Sequence, residues 1–343
     1  MPGWGFVGNV VAAIIIILGI IFFIRILRHG AYNFATDILS SPWMLVSAAG
    51  LLASILFLAV FGIGLGFVFM FLPTLPLFAV GLGKQPSLAL NATFAAAILI
   101  SLVAGVPSGL LFLLFLGLPA WYLIKESLLC RDEADARLWM PVGLVLSRLT
   151  FYACGIVALM TLYYAFQPGG LPHMLSQNIR DAFADLREDY GDVIDALANS
   201  WSFLIFSVTI WLWGLALYAH AWVVNRLLVV KGRQVRPDLA IEPFTLPHWL
   251  PSLLAICALA SLIGSPSMSF LGKSTLISLL LPYFFQGAAL MHLASQRWPS
   301  RRFFLFFIYF MIVAQFWPAL ILSGIGLWNQ IKRLSESGSW FKS

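Results

Sequence analysis

Uncharged apolar runs of about twenty residues recur along this chain, separated by short segments that hold most of its charge. A helix needs about 20 mostly apolar residues to cross roughly 30 Å of hydrocarbon, so each run predicts a membrane span. Residues 4–27 qualify, with isoleucine at four successive positions from Ile14 to Ile17 and with Arg25 and Arg28 at the far end. Residues 43–82 continue for about 40 residues without a charge and predict two spans that turn near Gly62, Gly64 and Gly66. Residues 86–105 and 106–124 predict a tight pair hinged at Gly105 and Pro107. Runs at 141–166, 201–230, 246–264, 274–295 and 303–327 bring the count to ten, or to eight or nine if one of them is re-entrant. The predicted fold class is all-α, a polytopic transmembrane helical bundle of about 8–10 spans. It divides into an N-terminal anchor span with the first cytoplasmic loop over 1–42, the main bundle over 43–334 and a polar tail over 335–343.

One polar stretch has a different period. In 173–200, Ile179, Phe183, Leu186, Tyr190, Val193 and Leu197 recur three or four residues apart, which predicts one amphipathic helix with a narrow apolar stripe. Its two arginines, Arg180 and Arg187, are outnumbered by six acids between Asp181 and Asp195. Anionic membrane surfaces attract basic helices, so this acidic one is expected to pack on the protein's own outer face or on a partner.

Composition changes the picture by exclusion. The 343 residues are 61% hydrophobic and 10% charged, with mean hydropathy +0.93, against about 45–50% and about 25% for a soluble domain. Such a chain is not a cytosolic enzyme, a secreted disulfide scaffold, a disordered protein or a nucleic-acid binder. The lipid bilayer is its first partner. The formal charge of +6 is what loops obeying the positive-inside rule produce. With the N-terminus outside, 14 of the 20 Lys and Arg fall inside and 6 outside. Lys332, Arg333 and Lys342 run against that orientation, which predicts either a hairpin broken near Pro318 or one miscounted span. No Lys or Arg precedes the first apolar run, so an uncleaved first span is expected rather than a signal peptide. Cys130, Cys154 and Cys257 are isolated from one another and from metal-spaced partners, so neither a disulfide framework nor a metal site is expected.

Few motifs carry chemistry. The stretch from Leu271 to Thr275 resembles the tail of a phosphate-binding loop. Ser267 stands where that motif needs its first glycine, so Lys273 and Ser274 read as the polar start of a helix. Ser108, flanked by Gly105 and Gly109, could act as an intramembrane nucleophile with His220 or His292, but Pro107 removes a backbone N–H beside it. Close helix packing at Gly105 and Gly109, and likewise at Gly62 and Gly66, is the simpler reading. No catalytic residue and no cofactor is predicted.

Polar side chains within apolar runs usually face a bundle interior. They are Asn91, Arg148, His220, Asn225, Gln286, His292 and Gln315, with Arg148 placed to snorkel. Tyr283, Gln286, Gly287 and Leu290 share one helical face, and Trp211, Tyr218, Trp222 and Asn225 share another. Either face serves a ligand cavity or interhelical packing. Pro73 and Pro76, three apart in an apolar run, predict a kink of the sort found at transporter substrate sites. The candidate ligand-binding set is Pro73, Pro76, Asn91, His220, Tyr283, Gln286 and His292.

The stretch 73–83, the Pro-Tyr-Phe-Phe-Gln-Gly-Ala-Ala-Leu-Met-His run ending at His292, and Pro247-His248-Trp249-Leu250 together resemble motifs of the YybS-like family. These are bacterial membrane proteins of unknown role. That family is distantly similar to the substrate-binding membrane subunits of energy-coupling-factor vitamin transporters and to the envelope-morphogenesis protein MreD. The resemblance implies a multi-pass protein of the bacterial inner membrane. It leaves open a small-molecule binding or transport subunit working with partner membrane proteins or ATPase subunits, and a scaffold of the cell envelope.

Overall fold

The structure, a computed structural model, describes residues 41–63, 71–133, 136–230, 236, 244–263 and 265–337. The expected first span at 4–27 lies outside them. Among the described residues the helices are α1 (Pro42–Ile63), α2 (Thr74–Gly83), α3 (Pro86–Ala104), α4 (Val106–Ser127), α5 (Val142–Tyr164), α6 (Gly170–Ala182) and α7 (Arg187–Ser200). They continue with α8 (Ser202–Val230), α9 (Leu250–Leu262), α10 (Pro266–Ser278), α11 (Leu280–Ala294), α12 (Arg301–Gln315) and α13 (Trp317–Ser337). A two-stranded antiparallel ribbon, β1 (Cys130–Glu133) and β2 (Ala136–Trp139), follows α4. Among the described residues six stretches are long and apolar enough to cross a membrane, or seven if the bent α12–α13 pair counts as one. The chain is a multi-pass, all-α membrane protein.

The expected boundaries hold for α3, α4, α5 and α8. Gly105 makes the predicted turn between α3 and α4 with φ of +85°, a backbone that glycine adopts without cost. Gly109 then packs against Ser101 and the Ala97 carbonyl on α3. Within α4, residues Leu113–Gly117 widen into a π turn just ahead of Pro119, which has no N–H to give. At two expected spans the described helix is shorter than a bilayer. The described part of the second half of 43–82 is the ten-residue α2, and 246–264 yields the thirteen-residue α9. The last run is the broken hairpin that the tail charges suggested. α12 and α13 meet at 116°, and Phe316 at the break has φ of +57°, a conformation costly for any residue but glycine.

Two compact units interleave along the chain. The first comprises 1–140 and 215–239, the second 141–214 and 240–343, so α8 contributes its beginning to the second and its end to the first. In the first unit α3 packs on α1 and α2, and α2 on α4. Phe57 meets Phe112 edge to face with ring centroids 5.4 Å apart. Arg236 bonds the carbonyls of Ser127, at the end of α4, and Met140 at 2.9 and 3.1 Å, a cation placed on the negative end of a helix. In the second unit α11 packs tightly on α13 and α9 on α10, with α6 set against α5 and α10.

The acidic stretch 173–200 departs from its expected single helix. It folds back as a hairpin of α6 and α7, joined through a 3₁₀ turn at Ala184–Leu186. Glu188 and Asp189 sit in the first turn of α7, where the positive end of a helix favours acids, and so they begin a new helix. The anticipated stripe is not the packing face. Phe183, Leu186, Tyr190, Val193 and Leu197 are exposed, while Leu171, Ile194 and Ala198 are buried. Arg180 closes the hairpin, its Nε 2.7 Å from Asp195 Oδ1 and its Nη2 2.6 Å from Asn199 Oδ1. Hydrogen bonding to Arg180 is the main reason that the Asp195 carboxyl titrates below its ordinary 3.8. A lowered carboxylate stabilises the fold above its unfolded value and loses that contribution as pH falls through the folded value. Amide exchange across 173–200 is therefore expected to stay slow at neutral pH and to accelerate only below 3.8. Asp195→Asn is expected to remove that acid step and to show the weaker protection already at pH 7. An unchanged acid step in the variant would show the hairpin closing by other means.

Candidate functional site

Of the seven candidate residues, Pro73, Pro76 and His220 come together in the first unit. Pro73 directly precedes α2 and Pro76 lies in its first turn, so the two prolines do not kink a span: they begin a helix. At those positions a missing N–H leaves no gap in the helical ladder. The helix is buried along most of its length. Its first residue, Thr74, is fully buried, and its hydroxyl donates to the Phe71 carbonyl at 2.8 Å. His220 Nδ1, reaching across from α8, lies 2.9 Å from the same oxygen. A hydroxyl has one proton, and Phe71 takes it. Nδ1–H is therefore the donor to Thr74, and Nε2 is left as the ring's acceptor in the neutral imidazole.

Tyr283 and Gln286 come together on α11 in the second unit, one turn apart. Tyr283 is 0% exposed and Gln286 2%. The Gln286 amide nitrogen donates to the Phe244 carbonyl at 3.3 Å. Gln330 on α13, which the sequence did not single out, does the same to Pro247 at 2.8 Å. Both amides anchor on the stretch Phe244–Pro247 that leads into α9. Leu246 and Leu327 pack against the cluster containing Tyr283, and Gly326 seats α13 on the Tyr283 carbonyl. Gln286 Oε1, Gln330 Oε1 and the Tyr283 hydroxyl are all buried without a hydrogen-bond partner. Buried polar groups in folded proteins are paired nine times in ten or more, and in hydrocarbon an orphan is costlier still. Two acceptors and one hydroxyl, on side chains of the packed α11–α13 pair, have unused bonding capacity. The signal available in the sequence was the spacing of Tyr283 and Gln286. Gln330 lay past the last apolar run, which ends at 327, and had none.

The other candidates belong elsewhere. Asn91, expected to face an interior, is exposed on the first part of α3. His292, at the end of α11, shares a 2.8 Å hydrogen bond between its Nε2 and the Tyr309 hydroxyl of α12. The aromatic face of α8 does not line one site: Trp211 is buried with its indole N–H bonded to the Ile277 carbonyl at 2.9 Å, whereas Trp222 is exposed. Ser108 is half-buried and donates to the Ala104 carbonyl, one turn back, at 2.9 Å. Lys273 and Ser274 do not begin a helix but stand inside α10, which starts at Pro266 under the Ser265 cap. Buried Ser274 there bonds the Phe203 carbonyl at 3.3 Å, as interhelical serines do.

No family model, curated protein or solved structure matches this chain.

Proposed function

We propose that this chain is a membrane-embedded subunit that binds a small amphipathic molecule for transport, working with partner membrane proteins or ATPase subunits. What carries the reading is the set of orphaned buried atoms on Tyr283, Gln286 and Gln330. A bilayer selects against such atoms unless something satisfies them. The ligand they suit has hydrogen-bond donors for the two amide oxygens and a partner for a phenol, beside an apolar body. The resemblance of 73–83 and of the Gln286–His292 stretch to the YybS-like family, and through it to vitamin-binding transporter subunits, supports the same reading. The protein is proposed to be bacterial, of the inner membrane, and not an enzyme.

Purification in mild detergent followed by native mass spectrometry supplies the test. A reproducible non-lipid adduct is expected on the wild-type chain. Gln286→Leu is expected to lose it while folding nearly as well as before, since the orphaned amide oxygen leaves with the side chain and offsets the lost bond to Phe244. An envelope scaffold would show no adduct in either protein and co-purify with assembly proteins, and that result would sink the transport reading.

A further inference from the structure

We infer that the wedge between α11, α12 and α13 is a binding site for one anionic phospholipid, with an acyl chain in the wedge and the phosphate on Arg297, Arg301 and Arg302. The inference is independent of the Tyr283–Gln286–Gln330 cluster. The break at Phe316 swings α12 away from α13 by 116°, and α12 has no buried residue along its fifteen positions. Between the arm and the bundle lies a groove of about 540 Å³, within the range of roughly 300–1,000 Å³ that small-molecule sites occupy. Its walls are apolar throughout, with Leu290 and Met291 on α11, Phe307 and Met311 on α12, and Trp317 and Ile321 on α13. The His292–Tyr309 hydrogen bond ties α12 to α11 beside it.

Charge selects the occupant. Three arginines fall within six residues at the α11–α12 turn, where the groove begins at Ala294 and Phe304. Arg301 is half-buried, lies within electrostatic reach of His292, and has its Nε buried without a hydrogen-bond partner. Between Glu242 and Glu336 the sequence contains no Asp or Glu. The acids of the α6–α7 hairpin belong to the same unit, on a hairpin whose first residue, Gly170, meets Ser267 at the start of α10. The α10–α11 span runs 32 residues from there to Arg297, about 48 Å at the helical rise. Among the described residues no carboxylate pairs with these three arginines, which leaves their charge to an anionic ligand. A membrane supplies one that joins a phosphate to an apolar chain, and basic pockets between spans hold such headgroups.

The experiment uses the full chain, delipidated in detergent, with native mass spectrometry after addition of phosphatidylglycerol or phosphatidylcholine of the same acyl chains. One phosphatidylglycerol is expected to be retained and phosphatidylcholine is not. Arg301→Gln with Arg302→Gln should weaken retention roughly thirtyfold, the product of two surface charges. Ile308→Trp, which fills the groove and keeps every charge, should weaken it too, so the result stands even if the arginine variant fails to fold. Equal retention of the two lipids, or unchanged retention in a folded arginine variant, overturns the inference. So does displacement by glycerol phosphate alone at equal concentration, which would show a phosphate site without a lipid, or an acidic protein occupying the site in its place.

Discussion

Trp211→Ala is expected to lower the unfolding free energy by about 3 kcal/mol, the lower end of the range for truncating a buried tryptophan. The side chain is 1% exposed and holds three elements at once. Its ring lies 5.3 Å from the rings of both Phe284 and Phe316, and its N–H caps the Ile277 carbonyl at the α10–α11 junction. In lipid the lost term is packing and a hydrogen bond rather than transfer from water, which places the estimate at the low end. Trp211→Phe keeps most of the packing and should lose only about 1 kcal/mol, the hydrogen bond. Thermal unfolding in micelles followed by circular dichroism separates the two. Equal losses in both variants would mean that the indole N–H, not the ring, is what matters.

Gly287→Leu should cost about as much, near 3 kcal/mol, by overpacking. A Cβ at Gly287 would strike the Leu322 carbonyl, and one at Gly326 would strike the Tyr283 carbonyl, with the Gly287 nitrogen 3.1 Å away. The α11 and α13 backbones thus touch through reciprocal glycines, the contact that small residues permit between spans. The same helix provides its own control: nothing lies within 4 Å of a Cβ built at Gly324. Gly324→Ala should therefore stay within about 0.5 kcal/mol of wild type. If Gly287→Leu melted like Gly324→Ala, the two helices would have to be farther apart than described.

Length and apolarity made the class and most of the spans legible, because hydrocarbon imposes one rule on every stretch crossing it. Gly105 and the break beside Pro318 were legible for a related reason: glycine and proline restrict the backbone locally. Periodicity failed in 173–200. The stripe continues smoothly from Ile179 to Leu197, and the signals against one helix were the acid pair Glu188 and Asp189 and the glycine at 191, beside which Tyr190 leaves helical geometry. At the candidate site, Tyr283 and Gln286 were legible from their spacing. Gln330 was not, since its partner Pro247 is 83 positions away. The prolines were visible, but their effect was misread, for Pro76 in a first turn starts a helix and the same residue four positions later would break one.

The interleaving of the two units bears on how the protein is made. Residues 1–140 leave the ribosome 75 positions before residue 215, which at ordinary elongation rates is a delay of about 4 to 15 s. During it the Thr74 hydroxyl has no His220, and Gly83 lacks Leu228, the side chain that lies 3.3 Å from a Cβ built there. The nascent α1–α4 bundle waits in the insertion machinery with an open seam, so this protein depends on whatever shields that seam until α8 arrives.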